Sequence, residues 1–182
     1  MLFRSSADGR RLLLAPRVPA FGYKVFHTRR TASTETSSAL DVGATSLSNQ
    51  FYKIEFDSQT GVIRSIYDKE LKRELVDPAA RHGFNQLVYV HKMSREAKEG
   101  DDYSPIRATL RPGRAGSVSA SFTVEINDVK TGAAITQRIT LYDKVKRIDI
   151  VNDLRHVRAL HSNSYEDRYR DNIYFAFPIK VE

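Results

Sequence analysis

The chain has 182 residues, no cysteine and a formal net charge of +7, with 41% hydrophobic and 28% charged residues. That is enough for one domain with its own core, and it excludes disulfides and thiolate metal sites. No apolar run approaches the ~20 residues of a membrane-spanning helix, and the cations (Arg10-Arg11, Arg29-Arg30, then 69–73, 144–147 and 155–170) are scattered. A solvated basic surface is expected, with no nucleic acid and no membrane as partner.

The start, MLFRSSADGRRLLLAP, offers three leucines, short of the roughly 7–15 apolar residues of a signal peptide. Residues 12–15 read as a strand, and 1–27 as lead-in strands from a preceding domain. The lack of cysteine and of such a leader favours a reducing compartment, the cytoplasm. Residues 28–48 are rich in Ser, Thr and Ala and are expected to form a polar linker or crossover. A β-sandwich is expected over 49–182.

Within that span the signal is alternation. Two strand-like runs flank Asp57-Ser58-Gln59-Thr60-Gly61, where Gly61 can supply a positive φ. Residues 69–76 could make two helical turns at most. Asn85 and Gln86 open a strand that runs through Tyr89, and 94–103 reads as a charged loop. Val118, Ala120, Phe122, Val124 and Ile126 share one face of the next strand. After a turn from Asn127-Asp128 to Thr131-Gly132, Ile135, Gln137, Ile139 and Leu141 share another. Asp143-Lys144 precedes a strand over 147–151. Ile173, Phe175, Phe177, Ile179 and Val181 alternate most cleanly, with an edge or bulge expected at Pro178. The simplest assembly is an all-β, antiparallel β-sandwich.

The stretch NQFYKIEFDSQTGVIRSIYDKELKRELVDPAARHGFNQL opens this region, and further blocks follow it in order: Ile139-Thr140-Leu141-Tyr142, Arg147-Ile148-Asp149-Ile150-Val151-Asn152 and Tyr174-Phe175-Ala176-Phe177-Pro178. Val18-Pro19-Ala20-Phe21-Gly22-Tyr23 precedes them. In these blocks the chain resembles the β-sandwich region that follows the catalytic domain in glycoside hydrolase family 38, the α-mannosidases. The resemblance implies a galactose-mutarotase-like supersandwich, incomplete here because the family's sandwich continues further. It also implies a retaining, zinc-dependent glycosidase as the parent, acting in mannose metabolism. The family's nucleophilic Asp and His/Asp zinc ligands belong to an N-terminal domain that this sequence does not match. The implied partners are that catalytic domain, in the same polypeptide, and an α-mannoside. In relatives the sandwich lines one side of the cleft and supplies a Tyr to the sugar; Tyr89 is the candidate here, with Asn85 and Gln86 as hydrogen-bonding neighbours.

The residues themselves show no catalytic apparatus. Glycoside hydrolysis needs two carboxyl groups across the bond, one of them protonated. Asp143, Asp149 and Asp153, like Glu166, Asp167 and Asp171, are expected in turns and on solvent-facing positions beside Lys and Arg. His27, His82, His91, His156 and His161 form no metal-ligand spacing, so no cofactor is expected in this chain, with zinc left to the catalytic domain. The expected role is a non-catalytic sandwich segment that packs on a catalytic domain. The alternative is a stand-alone carbohydrate-binding module, which would present grouped aromatics such as Tyr103, Tyr165 and Tyr169. A third reading, a basic nucleic-acid-binding domain, has only the Arg-Tyr interleaving at 165–170 behind it, diluted by acids.

Overall fold

Alternation leaves such a chain one way to bury its apolar side chains, on one face of each strand. The computed structural model describes residues 3–5, 11–13, 20–25, 27, 38–91, 102–104, 107–128, 132–156 and 171–181, and every regular element among them is a β-strand. The first seven are β1 (Phe3–Ser5), β2 (Arg11–Leu13), β3 (Asp41–Val42), β4 (Ser46–Ser48), β5 (Tyr52–Phe56), β6 (Ile63–Asp68) and β7 (Arg73–Glu74). Then come β8 (Gln86–His91), β9 (Asp102–Tyr103), β10 (Thr109–Pro112), β11 (Ser119–Asn127), β12 (Ala134–Tyr142), β13 (Ile148–Arg155) and β14 (Asp171–Ala176).

The strands form a five-stranded sheet in the order β3-β4-β5-β6-β7, a four-stranded sheet β10-β11-β12-β13, a three-stranded sheet β14-β8-β9 and the pair β1-β2. All pairings are antiparallel. Leu47, Ile54, Phe56, Ile63 and Ile66 from the first sheet meet Phe122, Val124, Ile126, Ile135, Ile139 and Leu141 from the second in one buried core. The Phe56 and Phe122 rings stack at its centre, 4.1 Å apart and 10° from parallel. Leu87 and Tyr89 of β8 join the same core, so the molecule is the antiparallel β-sandwich that the alternation predicts.

Its turns reuse one device. At 57–61 the Asp57 carboxylate accepts the N–H groups of Gln59 (3.0 Å) and Thr60 (2.7 Å), and Gly61 takes φ +71°. At 68–72 the Asp68 carboxylate accepts the N–H groups of Glu70 and Leu71, both at 2.9 Å, and Lys72 takes φ +53°. Gly132 (φ +70°) donates to the Asp128 carbonyl at 2.8 Å, as Gly61 donates to that of Asp57 at 2.9 Å. An acceptor at the first position and a left-handed residue at the fifth close each loop.

Four expectations change. Residues 69–76 hold no helix: Asp68 takes the N–H groups a first helical turn would leave free, and Glu74 takes those of Ile66, Leu75 and Val76 at 2.8–3.0 Å. The end of the polar stretch, 41–48, is not linker but the hairpin β3-β4, whose Leu47 is buried in the core. Tyr103 is not loop but pairs with Tyr89 through β9, while 92–101 lie outside the described residues. The run 173–181 stops being a strand after Ala176. Pro178 has no N–H for a ladder, and beyond it the chain turns to residues 75–77, with Lys180 N–H donating to the Leu75 carbonyl at 2.9 Å.

Two predictions follow from this packing. Phe122→Ala removes a fully buried, stacked ring and should lower unfolding free energy by about 3–5 kcal/mol in urea titration. The second concerns pH. Asp57 is held below the usual carboxylate range chiefly by the Thr60 N–H. Burial would raise the Asp68 and Glu74 pKa values, but backbone N–H groups, with Lys146 at Asp68 and Ser65 at Glu74, outweigh it and lower them. The folded state therefore holds these acids ionised below their unfolded value near pH 4. Their contribution is complete above about pH 5 and is lost as pH falls through about 4. The urea midpoint should drop between about pH 5 and pH 3, and drop less in Asp68→Asn.

Candidate functional site

The segment the resemblance marks, Asn85 to Tyr89, begins where β8 enters the sandwich. Gly83 lets the chain turn there, since a Cβ on it would stand 2.1 Å from Val62 Cγ1. Gln86 Oε1 accepts the Gly83 N–H at 2.6 Å and closes the turn. Asn85 then adopts φ +60°, a left-handed conformation that Asn tolerates better than most side chains.

That conformation lets Asn85 spend its polar groups on three strands. Its N–H donates to the Ala176 carbonyl of β14 at 2.7 Å. Its carbonyl accepts Gln137 Nε2 of β12 at 2.9 Å. Its side-chain amide exchanges two bonds with Asn152 of β13: Asn85 Nδ2 to Asn152 Oδ1 at 3.1 Å and Asn152 Nδ2 to Asn85 Oδ1 at 2.8 Å. Gln137 and Asn152 are register partners on the inward faces of their strands. They are the polar residues of two otherwise apolar faces, and Asn85 completes them.

Asn85 and Tyr89 are each 1% exposed, and Gln86 is half-buried. Tyr89 belongs to the core. Within this chain the structure therefore gives all three a packing role in place of the sugar contact expected of them. Gln137 and Asn152 were not singled out as partners, although an amide between Ile135 and Ile139 on one face is itself a signal of a buried polar contact.

The acids divide in the same way. Asp143, expected at a solvent-facing turn, is 1% exposed. Its Oδ1 accepts the Ala39 N–H at 3.0 Å and its Oδ2 lies 3.2 Å from Lys144 Nζ. Burial follows because the turn after β12 is clamped from the opposite sheet, by Asn49 Nδ2 on the Tyr142 carbonyl (2.7 Å) and by Gln50 on the Asp143 carbonyl. Asp149 accepts the Tyr142 hydroxyl and an Arg147 N–H, which hold its carboxyl below the usual range. Asp153 is exposed and paired with Arg155 at 2.7 Å. Lys146 reaches back across the sandwich to Asp68 (2.9 Å) and Glu70 (2.7 Å), and these bonds raise its pKa above the ordinary lysine range.

A glycosidic acid catalyst needs a raised carboxyl pKa, whereas Asp57, Asp68, Glu74 and Asp149 all shift down. No group of three or more His, Cys, Asp or Glu among the described residues is arranged to hold a metal, so the zinc implied by the resemblance has no fitting ligand set there. His82 is half-buried with its ring edge-on to Tyr174 at 6.5 Å, and His156 is exposed. The side chains of His91 and Tyr103, with Glu166, Asp167, His161, Tyr165 and Tyr169, lie outside the described residues, as does the side chain of Asp171.

Exposed apolar residues gather at one place. Along β14 and just after it, Ile173, Tyr174 (41% exposed), Phe177, Ile179 (61% exposed) and Val181 face solvent, and Phe84 packs edge-on against Phe177 at 5.2 Å. Phe21, Tyr23 and Val25 of the lead-in are exposed as well.

These features define an antiparallel β-sandwich domain with an uncovered apolar surface. Residues 47–182 match the family model described as the glycosyl hydrolases family 38 C-terminal domain, and the chain belongs to that family. No curated protein matches the chain.

Two substitutions test the Asn85 junction. Asn85→Ala strands the Asn152 amide and forces a Cβ-bearing alkyl residue into left-handed φ, and should cost about 2–4 kcal/mol. Asn85→Gly keeps the backbone conformation and the carbonyl for Gln137, and should be about 1–2 kcal/mol less damaging in the same urea titration.

Proposed function

We propose that this chain is the non-catalytic β-sandwich of an α-mannosidase-type glycosidase, packing on the catalytic domain of its own polypeptide and forming part of the wall of the sugar cleft. The observation that carries the reading is the match of 47–182 to the C-terminal domain of a glycosidase family. The inventory of acids supports it. Every described carboxyl with a resolved shift is stabilised as the anion, which suits turn closure and ion pairing and not proton donation. The exposed apolar residues of β14 and 177–181 supply a surface that a neighbouring domain would cover. Zinc and the reacting carboxylates then come from the catalytic domain, and the sandwich contributes shape and stability.

The test is hydrolysis of an aryl α-mannoside by the 182-residue chain and by the full natural polypeptide, each with and without zinc. The full polypeptide should hydrolyse it in a zinc-dependent manner and the chain should show no turnover under either condition. Turnover by the chain alone would overturn the non-catalytic reading. A full polypeptide that cleaves only other glycosides would overturn the mannoside assignment.

A further inference from the structure

The borders of the sheets are not alike. β13 carries Asp149, Asp153 and Arg155 along its length, and both acids are ion-paired to arginines. β10 carries Arg111, paired with Glu125 at 2.6 Å, and ends in Pro112, which has no N–H to offer a neighbour. β3 and β9 are two residues long. Charge, proline and shortness are the devices by which sheets discourage a foreign strand.

β14 has none of these beyond Asp171. It is six residues long and borders the three-stranded sheet on the side away from β9. From Asn172 to Ile179 the sequence NIYFAFPI carries no charge. Among the described residues β8 is the strand that pairs with β14, and no second strand pairs with its far border. Ile173 and Tyr174 point to opposite faces and both are exposed, so an incoming strand would find an apolar contact on each side. Pro178 limits the usable border to 171–176.

We infer that the free border of β14 is the docking edge for an extended, uncharged strand contributed by the rest of the glycosidase polypeptide, an inference that rests on the proposed function above. An edge exposed for part of a protein's life needs gatekeepers, whereas one covered as soon as its polypeptide folds does not. A strand tethered in the same polypeptide is present at high effective concentration and covers the border continuously. Backbone hydrogen bonds to β14 supply the attachment, and contacts with Ile173 and Tyr174 fix the register.

The experiment is amide hydrogen exchange over 171–176, in the 182-residue chain and in the full natural polypeptide. The amides that point away from β8 should exchange at least about tenfold more slowly in the full polypeptide, consistent with a newly formed ladder. Tyr174→Lys, at an exposed position, should leave the urea midpoint of the 182-residue chain near the parent value and abolish the extra protection in the full polypeptide. Protection elsewhere on the sandwich but not along 171–176 overturns the edge assignment and leaves domain packing intact. No added protection anywhere overturns the packing reading itself. A 182-residue chain that is a dimer by light scattering, and a monomer as Tyr174→Lys, would assign the edge to a second copy and overturn the inference.

Discussion

The sandwich depends on what Asn85 does as β8 begins. A strand that enters between two sheets carries backbone polar groups into an apolar interior, where an unmet donor or acceptor costs about 1–3 kcal/mol. Asn85 meets this constraint by turning left-handed and distributing its groups to Ala176, Gln137 and Asn152. One residue thereby ties the three-stranded sheet to two strands of the four-stranded sheet. Its bonds also fix the depth of β8, which is what delivers Leu87 and Tyr89 to the core. A second clamp, Lys146 on Asp68 and Glu70, joins the far ends of the other two sheets with charge rather than amides.

Much of this was legible in the sequence because period-2 alternation reports burial directly. The faces of β11 and β12 are those read from Ala120 to Ile126 and from Ile135 to Leu141. Turn residues were equally plain at Asp57-Gly61 and Asp128-Gly132, where one glycine in each loop must take positive φ. The failures share a cause. Asp143, Asn85 and Tyr89 were placed by local character, as turn or ligand groups, while their burial is decided by residues 52 to 104 positions away: Ala39 for Asp143, and Gln137 and Asn152 for Asn85. The β3-β4 hairpin was hidden because its strands are two and three residues long, too short for alternation to show. The Ile173–Val181 pattern was over-read because Pro178 breaks the ladder while leaving the apolar period intact.

Chemistry and architecture separate cleanly in this chain. Its described acids are committed to closing loops and pairing cations, and those commitments pull their pKa values down, the opposite of what a proton-donating carboxyl requires. Its apolar surface is concentrated on β14 and the segment after it, while most of its other strand borders carry charge, proline or little length. A domain organised this way is a supporting wall, and its family membership names the kind of enzyme it supports.

The most direct test of that account is the size of the natural polypeptide that carries this sequence, by immunoblot of source cells with antibody to the 182-residue chain. A band several times the 20.7 kDa of the chain is the predicted result, since the sandwich belongs beside a catalytic domain in one polypeptide. A band at 20.7 kDa would contradict it and describe a β-sandwich that works alone.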